Sequence, residues 1–178
     1  DDLVNASNSP LYQYRIDSRY FPVIGEGYAD ANIIFIGEAP GKTEAETGRP
    51  FCGPSGEVLD EMLRGIKLRR DDVYVTNILM DRPPEKRDPL PEELAFYTPF
   101  LDRIIDIIQP AIIATLGRFS MQYILKKLDL PEKRGTITQL HGKLIKTRAH
   151  YGEIHVVPLY HPAVVLYSAT QKDTLRKD

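Results

Sequence analysis

Four short apolar runs organise the chain: Asn32-Ile33-Ile34-Phe35-Ile36, Val73-Tyr74-Val75-Thr76, Ala111-Ile112-Ile113-Ala114-Thr115-Leu116 and Ile154-His155-Val156-Val157-Pro158-Leu159-Tyr160. Each is continuous rather than alternating, which predicts strands covered on both faces, as in a mostly parallel sheet. Pro158 has no N–H to donate, so the last strand is expected at an edge or interrupted there. Helical periodicity fills the intervals. Ser55 to Ile66 carries Val58, Leu59, Met62, Leu63 and Ile66 on one stripe. Pro91-Glu92-Glu93 opens a second helix with proline and acids in its first turn, and this helix runs to Gln109, before Pro110. A third spans Arg118 to Leu128, after Gly117. Thr136 to His155 has short runs broken by charges and predicts a hairpin or a long loop. Alternating strands and helices predict an α/β fold: three layers, α/β/α, around a central, mostly parallel four-stranded sheet. With 178 residues and no linker-like stretch, one domain over residues 1–178 is expected.

Composition narrows the class. Hydrophobic residues at 42% and charged residues at 27% are the balance of a globular protein rather than a disordered one. No apolar run approaches the roughly 18 residues of a membrane-spanning helix, so no membrane partner is expected. The first ten residues lack the blocks of a secretory signal, and a single cysteine, Cys52, allows no internal disulfide and no cysteine-rich metal site. A cytoplasmic monomer is the expectation. Lys+Arg 23 against Asp+Glu 25 gives −2, which excludes a bulk polycationic nucleic-acid binder but leaves a local basic face open.

In open α/β sheets the ligand crevice lies beyond the carboxyl ends of the strands. The first strand is followed by Gly37-Glu38-Ala39-Pro40-Gly41 and then Glu44, the second by Asn77, the third by Gly117, the fourth by His161-Pro162. A carboxylate, an amide and an imidazole therefore converge on one rim, a hydrolase-like set without a nucleophilic Ser or Cys beside a base. Each has a plainer reading: Glu38 as a solvated loop acid, Asn77 as a loop cap, His161 as a structural histidine. The other histidines, His141, His150 and His155, have no spacing that suggests zinc ligands. Gly37 to Thr43 comes close to a phosphate-binding loop, but the first glycine of that loop falls on Ile36, so nucleotide hydrolysis is not expected.

In their order, Gly37-Glu38-Ala39-Pro40-Gly41, Gly48-Arg49-Pro50-Phe51-Cys52-Gly53, Thr76-Asn77, Arg82-Pro83-Pro84 and His161-Pro162-Ala163 resemble the uracil-DNA glycosylase superfamily, most nearly its family 4 branch. The resemblance implies the uracil-DNA glycosylase-like fold and removal of uracil from DNA, leaving an abasic site. It implies catalytic roles for Glu38, which positions or polarises the attacking water, for His161, which hydrogen-bonds uracil O2, and for Glu44, the second acid of the loop. It implies that Phe51 stacks on the extruded base, that Asn77 reads the uracil edge, and that Gly37 and Ala39 belong to the same base pocket. Val165 and Leu166 occupy the position of a wedge entering the DNA stack. Lys143, Lys146 and Arg148, with Arg82, Lys86 and Arg87, are candidates for phosphate contacts.

The expected partner is uracil-containing DNA, single- or double-stranded, in the nucleoid, and the chemistry needs no metal or nucleotide cofactor. Relatives in family 4 usually carry an iron–sulfur cluster on four cysteines. Aligned by the flanking motifs, those positions are Ala6, Ser9, Asp81 and Tyr97 here. None is a thiolate ligand, so no cluster is expected. Two other readings stay open: a catalytically inactive DNA-binding module of the same fold, and a glycosylase for another deaminated base such as hypoxanthine.

Overall fold

A computed structural model describes residues 2–178, apart from the side chain of Lys86. In chain order its strands are β1 (Glu26–Gly27), β2 (Ile33–Gly37), β3 (Tyr74–Asn77), β4 (Ile112–Leu116), β5 (Ile145–Ala149) and β6 (Gly152–Leu159). Its helices are α1 (Tyr12–Asp17), α2 (Lys42–Thr47), α3 (Pro54–Gly65), α4 (Pro91–Ile108), α5 (Arg118–Lys127), α6 (Ile137–Leu140) and α7 (Ala169–Lys177). The strands form one sheet in the order β1-β3-β2-β4-β6-β5.

The four apolar runs are the four parallel strands at its centre. The sheet is wider than the four strands expected, because β1 and β5 pair antiparallel on its two edges. Neither edge strand has a continuous apolar run to announce it: β1 is two residues long and β5 reads Ile-Lys-Thr-Arg-Ala. The segment Thr136 to His155 opens with the short helix α6 and continues into the β5–β6 hairpin, one of the two forms expected. The expectation for Pro158 is corrected. β6 lies inside the sheet, and its pairing with β5 stops at Ile145↔Val156, so Pro158 sits beyond the stretch where β5 needs a donor. On the other side it stays in register with Thr115 of β4.

Successive residues of β2 point to opposite faces. Ile34 and Ile36 join Ile113 under α4 and α5, against Tyr97, Leu101, Ile105, Met121 and Ile124. Phe35 faces the other way, with Val75, Ala114 and Leu116, against Leu59 and Leu63 of α3. This is the three-layer arrangement, and it explains why the runs of β2, β3 and β4 are continuous: both of their faces are covered, whereas β6 buries one face and leaves Val157 and Leu159 on the other half-buried. The layers also align the strand ends. Gly37 is in register with Asn77, and Leu116 with Leu159, so the loops that follow open onto one rim.

Candidate active site

That rim holds a cleft of about 580 Å³. Glu38, Ala39, Glu44, Phe51, Asn77, Arg82, His161 and Leu166 all line it, drawn from the end of β3, the segments that follow β2, β3 and β6, helix α2, and the loop between α2 and α3. Gly37 does not line the cleft but lies behind it. A Cβ there would come within 2.4 Å of Asn77 Oδ1 and 2.6 Å of Phe51 Cζ, so its lack of a side chain is what lets those two groups meet.

Phe51 is buried and takes a left-handed backbone, φ +48°. Several contacts hold it there. Its carbonyl accepts a short hydrogen bond from Arg70, whose Nε donates to Asp60 at 2.7 Å. Gly56 lets α3 press against that carbonyl, where any Cβ would collide with it. Glu44, itself 8% exposed, accepts from the amides of Cys52 at 3.1 Å and Gly53 at 2.8 Å through Oε1. The second acid of the loop thus acts on the backbone, pinning it on the C-terminal side of Phe51.

His161 stacks on Phe51, with ring centroids 5.7 Å apart. Its Nδ1 accepts from the Ala163 amide at 3.1 Å, which needs a lone pair on Nδ1 and leaves the proton of the neutral ring on Nε2. Burial holds its pKa down at about 4, partly offset by the charge of Glu44, so the ring is neutral at physiological pH. Asn77 is 1% exposed, and its Oδ1 is buried without a hydrogen-bond partner. A buried acceptor left open in this way is ready for a donor on a ligand.

Glu38 meets the start of α5. Its Oε1 accepts from the Phe119 amide at 3.2 Å. Burial raises its pKa, an effect opposed by the amides of Phe119 and Arg118 and by the Arg118 charge, and reinforced by Asp88. Gly117, at φ +100°, makes the approach possible, since a Cβ there would lie 2.4 Å from Glu38 Oε1. Arg118 pairs with Asp88, which also lines the cleft, at 2.5 Å. The residues after the strands did not point to this pair; the only signal was an arginine directly behind a strand-ending glycine.

The other sequence candidates separate. Arg82 lines the cleft with Nε and Nη1 buried and unpartnered. Arg87 lines it too, but its guanidinium is engaged by the buried carboxylate of Glu93. Leu166 is 46% exposed at the rim, whereas Val165 is not among the lining residues. Lys143, Lys146 and Arg148 lie on and before β5, away from the cleft, and Lys146 pairs with Glu153 at 2.9 Å.

A fold of this kind, with an acid, a stacking aromatic, an open amide and a neutral imidazole in one cleft, fits a base-excision hydrolase. Comparison with known sequences agrees: the profile of the Uracil DNA glycosylase superfamily matches residues 24–178, and the chain belongs to that family. It is 42% identical over 179 residues to a type-4 uracil-DNA glycosylase of Sulfurisphaera tokodaii, covering 100% of this chain and 79% of that protein. A type-4 uracil-DNA glycosylase of Archaeoglobus fulgidus is 41% identical over 165 residues, 93% of this chain and 81% of that protein. One from Thermotoga maritima is 41% identical over 147 residues, 81% of this chain and 71% of that protein. No helix among the described residues is long and apolar enough to cross a membrane.

Proposed function

We propose that this chain is a monofunctional uracil-DNA glycosylase, a single-domain monomer that hydrolyses the N-glycosidic bond of uracil flipped out of DNA and leaves an abasic site. The observation that carries this reading is the pair of polar groups flanking Phe51: an unpartnered Asn77 Oδ1 and a neutral His161 with its proton on Nε2. Uracil offers N3–H and O4 along one edge. The Asn77 amide can accept from the first and donate to the second. Cytosine presents the opposite pattern and would leave buried groups unpaired. Phe51 supplies the stacking face, and base stacking of this kind is worth about 1–3 kcal/mol.

Cleavage breaks the C1′–N1 bond, with positive charge growing on the sugar and negative charge on the base. His161 Nε2–H donates to O2, where that negative charge gathers, from a ring that burial keeps neutral. The Glu38 carboxylate stabilises the sugar cation and takes a proton from the water that adds to C1′. A base already inside the duplex is out of reach, so the nucleotide must first be extruded, at a few kcal/mol. Leu166, exposed at the rim, is placed to fill the vacated space. The unpartnered nitrogens of Arg82 fit a phosphate beside the extruded nucleotide, while the residues on and before β5 are left as more distant backbone contacts.

The test is incubation of the purified chain, without metal or nucleotide, with end-labelled DNA bearing one uracil, followed by alkali. Strand cleavage at uracil that collapses in Glu38→Gln and His161→Ala is the expected result. Binding without cleavage would overturn the enzyme reading in favour of a DNA-binding module. Cleavage at hypoxanthine but not at uracil would overturn the base assignment.

A further inference from the structure

Away from the cleft, the described residues include a second buried polar group. Ser9, Arg15, Asp81 and Tyr97 are 6%, 3%, 1% and 0% exposed. The hydroxyls of Ser9 and Tyr97 lie 2.6 Å apart, and Tyr97 donates to Asp81 Oδ2 at 2.6 Å. Arg15 Nη1 donates to both carboxylate oxygens of Asp81 at 3.2 Å. The same guanidinium reaches the carbonyls of Leu3 at 3.4 Å and Val4 at 2.9 Å, and Ser9 Oγ accepts from the Leu11 amide at 3.2 Å.

These bonds join three parts of the chain. Ser9 and Arg15 belong to residues 2–23, which precede the stretch matched by the family profile. Tyr97 is on α4. Asp81 is in the loop that leaves Asn77 and leads directly to Arg82, and that loop is bonded to the end of β2 through Ile78 N–H to Gly37 O and Leu79 N–H to Glu38 O, both at 3.0 Å. The network therefore ties the N-terminal segment to a wall of the cleft.

Three of its four members stand at positions where the resembled branch has cluster cysteines, and the fourth such position is Ala6. The residues present do not fit an iron–sulfur cluster. None is a thiolate, the Ser9 and Tyr97 side chains already close on each other, and Cys52 sits exposed on the Phe51 loop instead. We propose that Ser9, Tyr97, Asp81 and Arg15 form a buried ion-pair lock that fastens the N-terminal segment in the place of the cluster, so that this chain folds without iron. A buried carboxylate is tolerable only when its partners are all in place, and here Arg15 and Tyr97 both supply donors to it. Apolar packing helps, because Leu3 and Leu11 share a core with Tyr97. A lock of this chemistry has no sulfur to oxidise and no metal to chelate.

The full chain, expressed in iron-replete cells, decides the matter through measurements that involve no DNA and are independent of the glycosylase reading. Elemental analysis is expected to find iron far below one atom per chain, with no visible absorption band. Tyr97→Phe keeps the ring and removes the hydroxyl that bridges Ser9 and Asp81. It should speed hydrogen exchange of amides in residues 12–20 by about tenfold, with β4 amides far less affected. Ser9→Ala, which deletes the bonds to the Tyr97 hydroxyl and from the Leu11 amide but leaves both of the donors to the buried Asp81 carboxylate in place, should give a smaller rise in the same segment, and it decides the question should Tyr97→Phe fail to fold. Stoichiometric iron with a visible band would overturn the proposal. So would parental exchange in residues 12–20 of both variants.

Discussion

The imidazole of His161 lies over the ring of Phe51 at an interplanar angle of 29°. One ring comes from the loop before α3 and the other from the segment just after β6, so the stack joins two distant parts of the chain in the lining of the cleft. It also keeps water from the imidazole, and this is the physical cause of its lowered pKa.

That burial has a pH signature. A histidine ordinarily titrates near 6.5, and His161 is held at about 4. Between those values the unfolded chain binds the proton and the folded chain does not. The stabilisation from a neutral His161 is therefore intact above about pH 6.5 and is lost as pH falls toward about 4, up to about 3 kcal/mol in all. Nitrogen NMR of the ring should show the neutral form throughout the physiological range, and a midpoint near 6.5 would contradict it. The acid limb of excision should instead follow Glu38, whose pKa burial raises, and should move when Arg118 is replaced.

Gly117→Ala tests the seat of Glu38. The new Cβ would lie 2.4 Å from Glu38 Oε1, on a backbone at φ +100°. Stability should fall by about 1–2 kcal/mol. Excision should slow at least about tenfold because the carboxylate is pushed from the Phe119 amide. Thermal unfolding and single-turnover excision measure the two effects separately; an excision rate unchanged within about twofold would show that Glu38 does not need this seat.

Glu44→Ala and Glu44→Gln separate positioning from charge. Loss of the acceptor for the Cys52 and Gly53 amides should cost about 1–3 kcal/mol and release the left-handed turn at Phe51. The alanine variant should bind uracil-containing DNA more weakly and excise more slowly. Glutamine keeps a carbonyl oxygen for both amides and should recover most of the activity. Equal failure of both variants would mean that the negative charge itself takes part in the chemistry.

Asn77→Asp tests base reading. The aspartate keeps an oxygen for uracil N3–H but loses the donor to O4 and sets a carboxylate against it. Uracil excision should drop by about a hundredfold or more, since a site built on buried hydrogen bonds discriminates steeply against a missing partner. Rates on matched uracil and hypoxanthine duplexes measure it, and unchanged uracil excision would remove Asn77 from the assignment.

Much of the fold was legible because β2, β3 and β4 are covered on both sides. Ile33–Gly37 and Ile112–Leu116 stand within a residue of their apolar runs, and α3, α4 and α5 lie where their apolar stripes and flanking prolines put them. The elements missed are those with little apolar content. Leu175 is the one buried residue of α7, and that helix is held to α3 by Lys172 and Arg176 on Glu61. Such an element takes its stability from a surface elsewhere in the chain, which no local period encodes.

The sequence by itself determined which residues end the parallel strands, and so placed Glu38, Asn77 and His161 on one rim. Strand direction and side-chain alternation are local properties of the backbone, and the rule that strand ends form the crevice does the rest. Only the tertiary structure decided what those residues touch. The pinning of the Phe51 loop by Glu44, the meeting of Glu38 with the α5 amides, the proton on His161 Nε2 and the Ser9–Tyr97–Asp81–Arg15 network all depend on partners distant in the chain. A hydrogen bond is set by atoms brought within about 3 Å after packing is complete, and a one-dimensional pattern carries no record of that distance.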